Sequence, residues 1–140
     1  MKILLLLTGF FLAGCATPYQ SSSFMGGFDE TKLSKNSYQV NFKGNKYSST
    51  QRAIDFTLLR SAELTLESGY TYFVVIDSQN RTQKSLDYIP GSLNVAPKYK
   101  VSSSPSTTNT IQMLTSEPDG IFSYHAPTVA AGLIRKYGIE

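Results

Sequence analysis

Hydrophobic positions between residues 48 and 77 follow first a helical and then a strand pattern. An apolar residue recurs at every fourth position over about 20 residues, which predicts an amphipathic helix. The row consists of Ile54, Leu58, Ala62 and Leu66. Ser48 is suited to cap the start of this helix, and Gly69 is suited to end it. The following residues are apolar on both alternating faces, so we expect a long helix followed directly by an interior strand.

The opposite side of the predicted helix is mostly charged, but two large apolar residues interrupt it. They have two explanations: the helix is buried deeply in the domain, or a second protein covers that flank. The pattern favours deep burial. If a partner covers the flank instead, the candidate partner-binding residues are Phe56, Leu59, Arg60 and Glu63.

Strands are predicted on both sides of the helix. Tyr38, Val40 and Phe42 alternate with polar residues before it, and the apolar run after Gly69 follows it. A strand, a helix and a strand with short connections favour parallel pairing of the two strands through a right-handed crossover. Insertion of an antiparallel strand between them is the alternative.

Residues 78–110 are polar, and 33 residues are too many for one loop in a compact domain. The sequence IPGS at positions 89–92 places proline and glycine at the two central positions of a type II turn, so we expect a hairpin. Residues 102–110, SSSPSTTNT, have the composition of a mobile loop. This long polar loop or hairpin insertion is where a functional loop is expected.

The C-terminal part is predicted to hold two short strands and a second helix. Residues 111–115 and 121–125 alternate in polarity around a turn. Pro127 suits the start of the helix and Gly138 its end, and the apolar stripe between them is Val129, Ala130, Leu133, Ile134 and Tyr137. The predicted fold class is α+β: a single two-layer domain over residues 28–140. In it, a mixed sheet of about four to five strands packs against one long central helix and a shorter C-terminal helix.

The first residues, MKILLLLTGFFLAGC, combine one lysine with an apolar run that ends in small residues before Cys15. The run is too short to span a membrane as a helix, and residues 1–14 are therefore predicted to be a signal peptide. The LAGC sequence resembles the lipobox of bacterial lipoprotein precursors. That resemblance implies cleavage before Cys15 and acylation of its thiol. An ordinary leader with a chance cysteine is the alternative, but Cys15 is the one cysteine of the chain.

The residue after the cysteine and the segment that follows predict where the domain resides. Ala16 stands where an aspartate is associated with retention in the inner membrane, so the resemblance implies an outer-membrane lipoprotein that faces the periplasm. Residues 15–27 are predicted to form the lipidated cysteine and a flexible tether, because they are small, polar and end in two glycines. The membrane, reached through the lipid on Cys15, is the predicted partner, and an envelope protein is a further possible one.

Composition argues against several classes of function. The formal net charge is +3 and no basic run is present, so we expect no nucleic-acid partner. His125 is the single histidine, which argues against a metal site, and no sequence pattern indicates a cofactor. The carboxylates are dispersed and no G-x-S-x-G elbow is present, so we predict no catalytic residues and no enzyme.

Two resemblances bear on function. The helix sequence LLRSAELTLES is faintly similar to that of outer-membrane-protein-A-like peptidoglycan binders, in which an arginine grips the wall, but their T-D-x-x-G segment is missing here. This makes cell-wall binding through Arg60 a minor alternative. More closely, GGFDETKL, YQVNFKGN and LLRSAELTLESGYTYFVV resemble a family of small bacterial lipoproteins named only after locus tags. That resemblance implies a lipobox, a periplasm-facing α+β domain and no recorded activity.

The expected function is therefore that of a non-enzymatic envelope lipoprotein. Its membrane-tethered domain is expected to bind a protein partner or to support an envelope complex. The alternative is a periplasmic domain that binds a small molecule or a lipid in the space between the central helix and the sheet. A hydrolase and a peptidoglycan binder are the remaining alternatives.

Overall fold

In the part of the chain that the structure describes, the fold consists of one five-stranded sheet and two helices. It is seen in a computed structural model that describes residues 15–23 and 26–140, so the predicted signal peptide lies outside the described residues. In chain order the elements are β1 (Gly27–Ser34), β2 (Ser37–Lys43), α1 (Thr50–Glu67), β3 (Tyr72–Ile89), β4 (Lys98–Leu114), β5 (Tyr124–His125) and α2 (Ala126–Tyr137). The predicted α+β class is confirmed.

All neighbouring strands of the sheet are antiparallel, in the order β1-β2-β4-β3-β5. The prediction of a mixed sheet is therefore wrong. β2 and β3, which flank α1, do run in the same direction, because both are antiparallel to β4. However, β4 lies between them and separates them, as in the alternative that the sequence left open.

α1 begins after Ser49, whose side chain accepts a hydrogen bond from the Arg52 amide, and it ends before Gly69, whose φ of 84° is left-handed. It has 18 residues and is not the long central helix expected. At 1.5 Å per residue it is about 27 Å long, whereas an 18-residue strand such as β3 extends for about 60 Å. The helix therefore covers only part of the sheet.

The buried row of α1 is rotated by one residue from the predicted row. Ala53, Thr57, Ser61 and Thr65 are buried, whereas Leu66 of the predicted row is 42% exposed. Each of the three hydroxyls donates at 2.7 Å to the carbonyl four residues earlier in the helix. Because these hydroxyls are satisfied within the helix, small polar residues can face the core where aliphatic ones were expected.

Two apolar clusters fill the space between the helices and one face of the sheet. In the first, Phe42 meets Phe56 edge to face, with ring centroids 5.1 Å apart. The second contains Val40, Leu59, Phe73, Ile111 and Met113, all fully buried. α2 packs on α1 and ends at Gly138 (φ 62°), where the Ile139 amide donates to the Ile134 carbonyl at 3.0 Å. The predicted second helix and its stop are thus confirmed.

The longest element is the β3–β4 hairpin, which pairs continuously from Tyr72–Leu114 to Ile89–Lys98 except at one bulge. β2 pairs with β4 only as far as Ser106, so the hairpin continues beyond the rest of the sheet. Residues 102–110, predicted to be a mobile loop, belong to strand β4. The bulge is at Ile76, between the pairs Val75–Ile111 and Asp77–Thr110.

Candidate functional site

Cys15, the predicted lipidation site, is exposed and lies against the loop between β2 and α1. Its carbonyl accepts a hydrogen bond from Asn45 Nδ2 at 2.8 Å. Thr17 is fully buried, its amide donates to Ser48 Oγ at 3.0 Å, and its carbonyl accepts from Arg52 Nε at 2.9 Å. Residues near Cys15 are therefore held on the domain, which differs from the flexible tether predicted for residues 15–27.

The four residues predicted for partner binding lie in or beside the core. Phe56 and Leu59 have no exposed surface, so the deep-burial explanation is right and they cannot form a docking flank. Arg60 contacts three carboxylates, those of Glu30 at 2.6 Å, Glu63 at 3.3 Å and Glu67 at 3.4 Å. The Tyr19 hydroxyl donates to Glu63 Oε2. Arg60 and Glu63 thus join α1 to β1 and to the N-terminal segment.

This arrangement has electrostatic consequences. Burial alone would lower the pKa of Arg60, but the ion pair with Glu30 raises it above its usual value. Burial and the hydrogen bond to Glu63 raise the pKa of Tyr19. The guanidinium therefore stays charged and engaged, and a wall carboxylate would have to displace Glu30, Glu63 and Glu67 to reach it.

A second polar network joins the two helices at Asp55, which is 5% exposed. Its carboxylate accepts from Gln51 Nε2 at 2.8 Å, Lys136 Nζ at 2.7 Å and the Tyr137 hydroxyl at 2.6 Å. Burial tends to raise the pKa of Asp55, but these three donors outweigh it and lower the pKa. Burial and the bond to Asp55 raise the pKa of Tyr137 to about 12. Asp55 is therefore used in packing.

The single histidine lies at the junction of β5 and α2. His125 is exposed, its Nδ1 lies 2.7 Å from Thr128 Oγ1, and its ring centroid is 5.1 Å from that of Tyr72. Over residues 15–23 and 26–140, no three His, Cys, Asp or Glu side chains form a group that could hold a metal. His125 thus stands apart from the Arg60 and Asp55 networks.

The end of the hairpin carries exposed apolar side chains that the sequence analysis did not single out as functional. Leu86 pairs with Val101 and Tyr88 with Tyr99, so all four side chains lie on one face. All are more than half exposed, and the two tyrosine rings are 5.4 Å apart. This apolar face continues the helix-covered face of the sheet past the N-terminal start of α1. The signal was present in the alternation of apolar residues on either side of the 89–92 turn.

The apex of the hairpin, residues 90–97, is the most exposed part of it. Leu93 has a relative exposure of 103% and Val95 one of 57%. Lys98 and Lys100 follow directly in β4, and residues 88–101 contain no acidic side chain. The apex is therefore apolar at its end and basic behind it.

The hairpin and the predicted lipidation site are on the same side of the molecule. Asn45, which holds the Cys15 carbonyl, is followed by Lys46, whose Nζ lies 3.6 Å from Asp87 Oδ2 in β3. Between this loop and the hairpin is an open cleft of about 380 Å³ whose lining includes Lys46, Tyr47, Ser85, Asp87, Ser102 and Ser104. A lipid on Cys15 would therefore begin beside the outer half of the hairpin.

One edge of β3 is largely unpaired. β5 pairs only with Tyr72 and Phe73, and in the described part of the chain residues 74–89 have no backbone partner on that side. At the centre of this edge strand, residues 78–83 are polar, and Arg81 is the one charged residue among them. An edge of this length exposes a row of backbone donors and acceptors.

Comparison with protein-family models, with curated proteins and with solved structures gave no match. In the described residues, no helix has the length and apolar character needed to cross a membrane.

Proposed function

We propose that this protein is a non-enzymatic envelope lipoprotein whose domain binds an extended segment of a partner protein along the free edge of β3. The lipid is carried by Cys15, and the domain faces the periplasm from the outer membrane. The supporting observation for partner binding is the unpaired edge of residues 74–89. We also propose that the chain belongs to the family of small bacterial lipoproteins named above, on the basis of the LAGC sequence and the helix sequence LLRSAELTLES.

Sheet proteins usually protect a long edge with charged residues, prolines, bulges or a covering element. Along residues 74–89 these devices are the bulge at Ile76 and four charged residues, Asp77, Arg81, Lys84 and Asp87. The stretch contains no proline, and in the described residues no further strand pairs with it. A peptide strand placed there would satisfy the exposed N–H and C=O groups, as in other cases of β-augmentation.

The absence of catalysis is proposed because the titratable groups are engaged in packing. Glu30 and Glu63 bind Arg60, and Asp55 binds Lys136 and Tyr137. These pairs support the positions of β1, α1 and α2. A hydrolase or a wall binder would have to give up those contacts to use the same groups.

Photocrosslinking from the sheet tests the proposal. Gln79 and Gln83 lie in β3, and Gln39 is an exposed glutamine in β2, which is paired on both sides. A photoreactive amino acid at position 79 or 83 should capture one envelope protein in vivo, and at position 39 it should capture none. Strand addition further predicts that moving the probe by four residues moves the captured site four residues along the partner. Equal capture from all three positions, or no such displacement, would contradict the proposal.

The open cleft favours a second candidate function, the binding of a small polar molecule. Asp87 and Lys46 supply charges at its wall, and Ser102 Oγ donates to Asp87 Oδ2 at 2.8 Å. Mass spectrometry of the purified protein should then show a bound compound that Ser104→Leu removes. The space between the helix and the sheet, where the sequence placed such a ligand, is instead closely packed. Thr57 Oγ1 contacts the Thr107 carbonyl there at 3.3 Å.

A further inference from the structure

The outer half of the β3–β4 hairpin carries three kinds of exposed side chain: aliphatic residues, tyrosines and lysines. Leu93 and Val95 are at the apex, Tyr88 and Tyr99 come next, and Lys98 and Lys100 lie on the other face of the hairpin beside them. A segment that lies at a bilayer surface combines the same groups, with aliphatic side chains at acyl depth, tyrosines at the interface and lysines that reach the phosphates.

Charge decides between a bilayer and an apolar protein surface. The outer hairpin from residue 84 to residue 101 carries three lysines, Lys84, Lys98 and Lys100, and one carboxylate, Asp87, which gives a net charge of +2. Asp87 is the cross-strand partner of Lys100 and lies 3.6 Å from Lys46 Nζ. Lysines near an anionic lipid surface each contribute attraction, whereas they must be paired or desolvated at an apolar protein interface. The apex is also fully accessible, because Leu93 has no neighbour that covers it.

We propose that the apex of this hairpin inserts Leu93 and Val95 into the surface of an anionic phospholipid bilayer. Tyr88 and Tyr99 then lie at the interface, and Lys98 and Lys100 contact lipid phosphates. The hairpin is a second membrane contact beside Cys15, so it fixes the orientation of the domain relative to the membrane. The inferred orientation of the domain rests in part on the proposed lipid anchor, and flotation with vesicles tests that anchor separately.

The absence of tryptophan from the chain allows a direct test. Leu93→Trp places one fluorophore at the apex. Phe122→Trp places one at an exposed site near the opposite end of β3, because Phe122 lies two residues before Tyr124, which pairs with Phe73 at the start of β3. Each full-length chain is reconstituted in vesicles of phosphatidylcholine and phosphatidylglycerol with brominated acyl chains. The apex tryptophan should be blue-shifted and strongly quenched, and Phe122→Trp should be neither.

A double variant tests how much Lys98 and Lys100 contribute to binding of the anionic bilayer. Lys98→Gln combined with Lys100→Gln, in the Leu93→Trp chain, should lower the ratio of inserted to free apex about thirtyfold, since each lysine contributes about 1 kcal/mol near an anionic surface. Raising the salt concentration should likewise weaken quenching in the Leu93→Trp chain that keeps both lysines. Quenching that is equal at positions 93 and 122, or absent at 93, would overturn the proposal.

Flotation separates this proposal from the anchor. Both single-tryptophan chains should float with the vesicles through the lipid on Cys15. If they do not float, the anchor has failed, and the apex is then tested by mixing the same chains with preformed brominated vesicles. Quenching of Leu93→Trp in that mixture would still support bilayer insertion, and its absence would refute it.

Discussion

Thr57 of α1 lies directly against Thr107 of β4: Thr57 Oγ1 donates to the Ala53 carbonyl at 2.7 Å and approaches the Thr107 carbonyl at 3.3 Å. Both residues are buried. The helix therefore packs on the sheet through small hydroxyl side chains, and the distance between helix and sheet is set by their size.

Replacing Thr57 by a larger apolar residue should destabilise the protein although the site is buried. Thr57→Leu should lower the free energy of unfolding by about 1–3 kcal/mol, because the added methyl groups have no space between α1 and β4. Chemical denaturation checks this. Thr50→Leu at the exposed start of the same helix is the control, and an equally large loss there would contradict close packing at Thr57.

Two leucines of α1 test the rotation of the helix. Leu59 is fully buried and Leu66 is 42% exposed. Leu59→Ala should cost about 2–5 kcal/mol in the free energy of unfolding, and Leu66→Ala much less, since truncation is expensive only where it leaves a cavity. Equal losses in thermal or urea unfolding would mean that the buried side of α1 is assigned wrongly.

The Asp55 network predicts a dependence of stability on pH. Because the folded-state pKa of Asp55 is lowered, its contribution is present above the ordinary carboxyl pKa of about 4 and is lost as the pH falls through the lower folded value. Asp55→Asn should cost about 1–3 kcal/mol near pH 7, as loss of charged hydrogen bonds does. The gap between parent and variant in urea unfolding should narrow below about pH 4. A difference in unfolding free energy that stays constant below pH 4 would show that protonation of Asp55 is not linked to folding.

The outer half of the hairpin should be dispensable for folding. Residues 85–102 are mostly exposed, and an Asn-Gly turn joined to Lys84 and Ser103 would close β3 on β4 in register. We expect this shortened chain to melt within a few degrees of the parent, with the same circular dichroism apart from the lost strand. A large loss of stability would show that the hairpin supports the core.

The lipid anchor predicts that Cys15→Ala abolishes acylation and leaves the precursor unprocessed by the lipoprotein peptidase. Metabolic labelling with palmitate and a gel-shift assay of processing check this. Cys15→Ala chains that still label would refute the lipoprotein assignment.

The sequence predicted the α+β class, both helices and the glycines that end them, because apolar periodicity and glycine stops are local signals. It placed the cap of α1 at Ser48, whereas Ser49 is the cap and the Ser48 side chain contacts Thr17 and Asn45. It predicted the wrong buried row for α1, because Thr57, Ser61 and Thr65 read as polar although each satisfies its hydroxyl within the helix. It also predicted a mixed sheet, since the position of β4 between β2 and β3 depends on contacts far apart in the chain.

The candidate site was predicted only in part. A hairpin was expected within residues 78–110, but SSSPSTTNT at 102–110 read as a loop and is held as a strand by pairing on β3 and, in part, on β2. Deep burial of Phe56 and Leu59 was favoured, but a partner surface at Phe56, Leu59, Arg60 and Glu63 stayed open as the alternative, because exposed and buried apolar residues look alike in a sequence. Propensity does not report which edge of a strand is left unpaired.

The bulge at Ile76 sets the phase of everything that follows it in β3. One additional residue there shifts the alternation, so that Leu86 and Tyr88, and not Ser85 and Asp87, point to the side that bears the helices. If Ile76 were instead paired in an unbroken ladder, the side chains of β3 beyond it would exchange faces without any change in composition. Deleting Ile76 would only remove the unpaired residue and would leave the pairs from Asp77–Thr110 to Ile89–Lys98 on their present faces. A single backbone irregularity near the core thus determines which chemistry the hairpin presents, about 30 Å farther along the strand, to whatever lies beside it.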